Sequence, residues 1–489
     1  DGVITVVGEV DPDAEQVIDA TGLYISPGFI DIHNHAFFSE DELDEPLDIE
    51  IDFDETRAVK NYLTQGVTTI VSGNCGGGSF KIKDMLNNME DNGIGVNVIE
   101  LVGHGSVRNK VMKMEDREPD EDELEEMKEL VEKAMKEGAF GISSGLFYAP
   151  GSYAKTGEVI ELAKVVADFG GIYATHIRDE GANGTIGLPA SIREAIRIGE
   201  EAGVPIQISH IKAAGKEAWG QSKEVTEIIE DAIARGVKVY ADQYPYMAGS
   251  TSLSPIVLPR WIQEGGRDKM VDRFDDKDLD RRIRRDIYDR IDRYGGPEAI
   301  VISSFEDKKE YEGKNLKEIS ALMELTPVDA AIDILRENDP GVIIFMMDEE
   351  DVETYMQKPY TLTCSDGSNV SYNKGLPHPR HYGAFTRKIR HYVLDKRLIT
   401  MEHAIRAATG LPADMLGLDG RGLIKENYAA DIVIFDPNTI RDRATYTNPH
   451  QYSQGIKYLF VNGQLVIEND VYNGTLAGKP LKKNEKDNR

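Results

Sequence analysis

Histidine is scarce in this chain, ten in 489 residues, and four of the ten fall where they can act together. The run Gly28-Phe29-Ile30-Asp31-Ile32-His33-Asn34-His35 ends in a His-x-His pair. Residues i and i+2 of a strand project from one face, so His33 and His35 can converge on one metal ion. His176 closes the run 171–176 and His210 the run 205–210. Alone, each reads as a hydrogen-bonded core histidine. At equivalent ends of successive runs they form a constellation, and imidazole is a good ligand for zinc. Asp366, in Thr363-Cys364-Ser365-Asp366-Gly367, ends another run. Beside a metal its carboxylate can ligate and shuttle a proton; alone it would cap the turn before Gly367. Cys75 lies in Ser72-Gly73-Asn74-Cys75-Gly76-Gly77-Gly78. A thiolate is a strong zinc ligand and can bridge two ions, whereas the glycines lack the Gly-Lys-Ser/Thr ending of a phosphate loop. Cys364 reads as a small core residue. Arg178 and Lys212 follow His176 and His210 by two residues, where cations can meet an anionic substrate.

These residues must be positioned by regular elements. Eight short apolar runs read as strands: 28–35, 67–73, 95–102, 139–144, 171–176, 205–210, 236–242 and 360–366. Between them lie amphipathic helical patterns. The segment 185–202 carries Ile192, Ala195, Ile196 and Ile198 and stops at Gly203; 119–137 opens on Pro119 with an acidic first turn and ends at Gly138. Its acidic run 115–126 is most simply a solvated face. Alternating strand and helix with near-continuous apolar strands predicts a buried parallel sheet. Eight such units predict an α/β fold of the (β/α)8 type, with active-site residues at the C-terminal ends of the strands. The seventh and eighth strands are more than 100 residues apart, and the gap holds helical patterns at 278–294 and 316–338 and strand patterns at 299–303 and 342–347. Part of it, about 253–347, is predicted to be a subdomain inserted over the barrel mouth. Strand patterns at 3–7, 427–436 and 455–470, the last with an Asn462-Gly463 turn, predict a small β domain assembled from both termini, 1–26 and 412–489, leaving 27–411 as the barrel. The tail from Lys482 is expected to fray.

Composition narrows the function. Lys and Arg total 56 against 86 Asp and Glu, a net charge of −30. Phosphate contacts need clustered cations, so nucleic acid and anionic lipid are disfavoured as partners. No apolar run approaches the roughly 18 residues of a spanning helix. Two cysteines exclude a disulfide framework and make the reducing cytoplasm the expected compartment. There is no secretory segment at the start and no initiator Met, which fits a truncated or processed chain.

The motifs then converge on a family. His33-Asn34-His35, the single histidines on strands five and six and the aspartate on strand eight resemble the amidohydrolase superfamily. The finer match runs through Asn74-Cys75-Gly76, Ser143-Ser144-Gly145-Leu146-x-Tyr148-x-Pro150-Gly151, Thr175-His176-Ile177-Arg178-x-Glu180, Ser209-His210-x-Lys212, Tyr244-Pro245-Tyr246-x-Ala248-Gly249-Ser250-Thr251, Ser365-Asp366-Gly367 and His378-Pro379-Arg380-x-Tyr382-Gly383. Together these resemble the D-aminoacylase (N-acyl-D-amino-acid deacylase) family over nearly the whole chain, although Gly76-Gly77-Gly78-Ser79 is richer in glycine than the usual motif. The resemblance implies a (β/α)8 barrel with a small β-sandwich built from both termini, and it implies zinc, with Cys75 standing where other amidohydrolases use a carboxylated Lys or a Glu. It implies a tighter site at Cys75, His176 and His210 and a weaker one at His33, His35 and Asp366 with Cys75 as bridge. It implies that Tyr148, Lys212, Tyr244, Ser250 and Arg380 hold the substrate carboxylate and carbonyl; the plain reading of Lys212 and Arg380 is a salt bridge at the barrel rim. The implied reaction is hydrolysis of N-acyl-D-amino acids by metal-activated hydroxide, with Asp366 as general base and acid. The implied partner is that small molecule, and oligomerisation is left open. Competing readings are hydrolysis of D-residue dipeptides or, as in hydantoinases, of cyclic amides, and a metal-free barrel scaffold. A hydantoinase needs a bridging Lys after the fourth strand, and 141–145 contains none.

Overall fold

The computed structural model describes residues 2–9, 14, 16–37, 56–182 and 184–483. The eight apolar runs all contain strands, and these pair in parallel. Phe29–Asp31 pairs with Val67–Ser72, which pairs with Asn97–Glu100. One residue beyond, Val102–Gly103 opens a six-stranded ladder through Gly141–Gly145, Ile172–His176, Ile206–Ile208, Val239–Gln243 and Thr361–Thr363. The chain then returns to its beginning: Gly367 and Ser368 pair in parallel with Asn34 and His35. Strands such as Val67–Ser72 and Ile172–His176 are buried along their whole length, which is why their sequences do not alternate.

The covering helices begin and end on readable signals. Glu121–Glu137 is opened by a reciprocal capping box between Asp120 and Glu123 and closed by Gly138 at φ 118°. Leu188–Ala202 has proline at its start and ends on Gly203 at φ 77°. One apolar cluster packs these helices against the middle strands. A second joins the first strands, the 253–356 region and the terminal sheet.

Between the seventh and eighth strand runs, Ala248–Ser252, Gly341–Phe345 and Ile300–Ser304 form a three-stranded antiparallel sheet. Helices Leu253–Val257, Arg260–Gln263, Arg267–Asp275, Asp280–Arg293, Leu316–Leu322 and Pro327–Glu337 accompany it. The pattern at 316–338 is thus two helices, because Thr326 caps a new start with Pro327 in its first turn. The two ends of the chain meet in one five-stranded antiparallel sheet, Tyr24–Pro27, Ile432–Phe435, Ile456–Val461, Gln464–Glu468 and Val471–Tyr472. Asn462 at φ 49° and Gly463 at φ 77° make the hairpin turn whose handedness matches strand twist. The pattern at 3–7 appears as a single bridge, Val3 to Ala429. Part of the tail is packed: Leu481 and Lys483 donate backbone hydrogen bonds to Val98 and Gly138. The rest, 484–489, lies outside the described residues. No described helix is long and apolar enough to cross a membrane.

Candidate metal centre

His33 and His35, His176, His210 and Asp366 arrive at one point from four strand ends, and Cys75 from the loop after a fifth. Cys75 (φ 54°), His210 (φ 34°) and Asp366 (φ 50°) all sit in the left-handed region, which is costly for these residue types and recurs at functional sites. The turn at Cys75 is possible because its neighbours lack side chains. A Cβ on Gly145 would lie 2.1 Å from the Cys75 carbonyl oxygen, and one on Gly76 would lie 2.6 Å from the Gly145 nitrogen.

Cys75 Sγ lies 3.4 Å from His33 Nε2, 3.7 Å from His176 Nδ1 and 3.5 Å from His210 Nε2. Three overlapping ligand sets result: His33, His35 and Cys75; Cys75, His176 and His210; and His33, His210 and Asp366, with donor atoms within 4.8 Å of one another. Zinc bonds of about 2.3 Å to sulfur and about 2.0 Å to nitrogen, at a tetrahedral angle, separate S from N by about 3.5 Å. Each of the three Cys75–imidazole distances therefore fits a thiolate and an imidazole on a common zinc ion, and the soft–borderline donor set agrees.

The outer groups orient the imidazoles. His33 Nδ1 is 3.2 Å from Asp242 Oδ1, leaving Nε2 to face Cys75. Asp242 also accepts from Gln207 Nε2 at 2.6 Å and from the His210 backbone at 2.7 Å. Lys212 Nζ donates to Glu180 at 2.6 Å and lies 2.7 Å from His210 Nδ1, which leaves His210 Nε2 toward the thiol. Asp366 Oδ1 is 3.2 Å from His35 Nε2 and 3.4 Å from His33 Nε2, while Oδ2 accepts from Arg380 at 2.6 Å. Burial pushes the Asp366 carboxyl up, but Arg380, His210 and His33 together outweigh it and hold it well below the ordinary range. Burial likewise raises the Cys75 thiol, and His33 and His210 bring it well below its usual value.

A cavity of about 750 Å³ opens over this cluster, lined among others by Tyr148, Lys212, Tyr244, Ser250 and Arg380. Arg380 stacks over the Tyr244 ring at 4.8 Å and donates to the Ser250 carbonyl at 3.2 Å. The Tyr244 hydroxyl is buried without a hydrogen-bond partner among the described residues. Tyr148 packs edge-on to His176 at 4.8 Å. Cys364 is fully buried in the core. Arg178 does not approach the cavity: it pairs with Glu194 at 2.9 Å and with the Ser152 and Ala154 carbonyls, and so braces the helix instead of facing a substrate. Sequence reasoning assigned no role to Asp242, Gln207 or Glu180. The single signal was Glu180, which lay inside a quoted motif.

The chain is similar to known proteins along nearly its whole length. The amidohydrolase family model matches residues 16–293 and 352–467. The D-aminoacylase of Alcaligenes xylosoxydans xylosoxydans is 34% identical, covering 98% of this chain and 91% of its own. The N-acyl-D-aspartate deacylase of the same organism is 33% identical, covering 95% and 86%. The crystal structure of the N-acyl-D-glutamate deacylase of Bordetella bronchiseptica, complexed with zinc and a phosphonate mimic of the reaction tetrahedral intermediate, superposes with a TM-score of 0.81 at 30% identity, covering 99% and 94%. This chain belongs to the amidohydrolase family, in its D-aminoacylase branch.

Proposed function

We propose that this protein is a zinc-dependent deacylase that hydrolyses the amide bond of N-acyl-D-amino acids to a carboxylic acid and a free D-amino acid. The observation that carries the reading is the position of Cys75, whose thiol stands 3.4 to 3.7 Å from three imidazoles. The architecture fits: parallel pairing that returns from Gly367 to Asn34 supports a closed eight-stranded barrel over 27–411. The 253–347 insertion would overlie its mouth, with 1–26 and 412–489 as the terminal β-sandwich. Two free cysteines fit a cytoplasmic setting.

Cys75, His176 and His210 would hold the tighter ion; His33, His35 and Asp366, sharing Cys75, would hold a weaker one. Zinc bound there supplies Lewis acidity, which polarises the scissile carbonyl and lowers the pKa of water toward neutrality. Asp366, kept ionised by Arg380, is the base that takes the proton of the attacking water and returns it to the departing amine nitrogen. Arg380 keeps Nη2 on the Ser250 carbonyl and so stands at the cavity wall beside Tyr244. Lys212 and the unpartnered Tyr244 hydroxyl complete a polar face suited to the substrate carboxylate. Tyr148 lies against His176, where it can donate to the carbonyl oxygen.

Amine release by the zinc-loaded protein from paired N-acetyl-D- and N-acetyl-L-amino acids tests the reading. Cleavage confined to the D series is expected. Cleavage of the L series, or silence on every pair with metal bound, overturns it.

A further inference from the structure

The cavity is larger than its metal end, and its far end is built differently. Ser252 pairs with Gly341 across the small antiparallel sheet, and Ser304 pairs with the same glycine from the other side. A Cβ on Gly341 would lie 2.6 Å from Ser304 Oγ and 2.9 Å from Ser303 Oγ, so the missing side chain leaves a shelf among hydroxyls. The 374–376 turn lies against this shelf: Leu376 donates to the Ser303 carbonyl at 2.7 Å, and Gly375 packs on Ser304. His450 Nε2 holds the turn from behind, 3.2 Å from the Lys374 carbonyl and 3.1 Å from that of Gly375. The backbone of Lys374 is therefore held beside Ser303 and Ser304, and all three residues line the cavity.

The charges of the cavity are unevenly spent. Arg380 is paired with Asp366 and Lys212 with Glu180, each at 2.6 Å and buried. At the far end, Asp339 is bound up by the Ser254 backbone and hydroxyl. Lys374 alone among the cavity's lysines and arginines has no carboxylate partner among the described residues. An exposed ammonium group that lines the same cavity as three serines and has no carboxylate of its own among the described residues can receive one.

Resting on the deacylase reading, we infer that Lys374, with Ser252, Ser303 and Ser304, forms a distal anion subsite that recognises a second carboxylate on the substrate, beyond the α-carboxylate. That carboxylate comes either from an acidic D-side chain or from a dicarboxylic acyl group.

Three compounds separate the sources: N-acetyl-D-leucine, N-acetyl-D-glutamate and N-succinyl-D-leucine. The zinc-loaded protein should favour at least one dianion over the monoanion by about tenfold in kcat/KM, the size of one charge-assisted contact at a partly exposed site. A preference for N-acetyl-D-glutamate assigns the subsite to the side chain, and one for N-succinyl-D-leucine to the acyl group. In Lys374→Met the preference should collapse to near unity, and Lys374→Arg should restore most of it. A dianion preference that survives Lys374→Met, or its absence in the unaltered protein, overturns the inference. If none of the three is turned over, the deacylase reading fails on its own, and calorimetric titration of the same compounds into the unaltered and Lys374→Met proteins still decides the subsite.

Discussion

At the residue scale, Cys75 is the most exposed to test. Three imidazoles face its sulfur, and Cys364 belongs to none of the three ligand sets. Cys75→Ala should lose bound zinc and turnover together; full activity with metal retained would remove Cys75 from the ligand set. Asp366→Asn keeps the size of the side chain but removes the base. It should retain much of the metal and lose about 10²-fold in kcat, read by metal analysis beside steady-state kinetics. Asp242→Asn addresses the orientation of His33, whose Nδ1 lies 3.2 Å from that carboxylate. The expected result is a loss of about 10- to 100-fold in zinc affinity, measured by competition with a chromogenic chelator. The cluster of candidate ligands was legible because its spacing is local: His33 and His35 are two apart, His176, His210 and Asp366 end apolar runs, and Cys75 follows one by two residues. Asp242 was not, because it stands 209 residues from the histidine it orients and sequence gives no register between strands one and seven. The same limit misplaced Arg178, whose partner Glu194 lies on the following helix.

At the element scale, the loop after the second strand is interlocked with its neighbours through glycines. Gly76 accepts the Ser106 backbone N–H at its carbonyl and donates its own N–H to Ser143 Oγ at 3.0 Å. Gly145→Ala would thrust a methyl group against the Cys75 carbonyl and should cost about 1–3 kcal/mol. It should also lower zinc occupancy, which denaturant titration with parallel metal analysis would show. Unchanged occupancy would mean that Cys75 does not depend on this packing. Most strands and helices were readable because periodicity and caps report backbone preference directly. Ala248–Ser252 was not recognised as a strand, since Ala-Gly-Ser-Thr-Ser has little of the β-branched, apolar character that marks one. It is extended because Gly341–Phe345, remote in the chain, supplies its antiparallel partner and pairs Ala248 with Phe345, a pairing that local sequence does not encode.

At the scale of the whole molecule, four strand ends and a loop meet in one centre, so an ion bound there ties distant segments together. Removing it with a chelator should lower Tm: a ligand present at a hundred times its Kd contributes about 2.7 kcal/mol to stability. A thermal scan indifferent to chelation would mean that no tightly held ion bridges these strands. The closure itself has a consequence in time. His35 and Asp366, which stand 3.2 Å apart, are separated by 331 residues. A ribosome moving at roughly 5–20 residues per second needs about 15 to 65 seconds to travel between them. Until the second is made, the first histidine pair has neither its carboxylate nor the Gly367–Ser368 pairing of Asn34–His35, and Tyr24–Pro27 still lacks the partner Ile432–Phe435. The nascent chain can pair Phe29–Asp31 with Val67–Ser72 early, but Tyr24–Pro27 and Asn34–His35 must wait for their ladder partners, and the full ligand set comes into being only once Asp366 has been made.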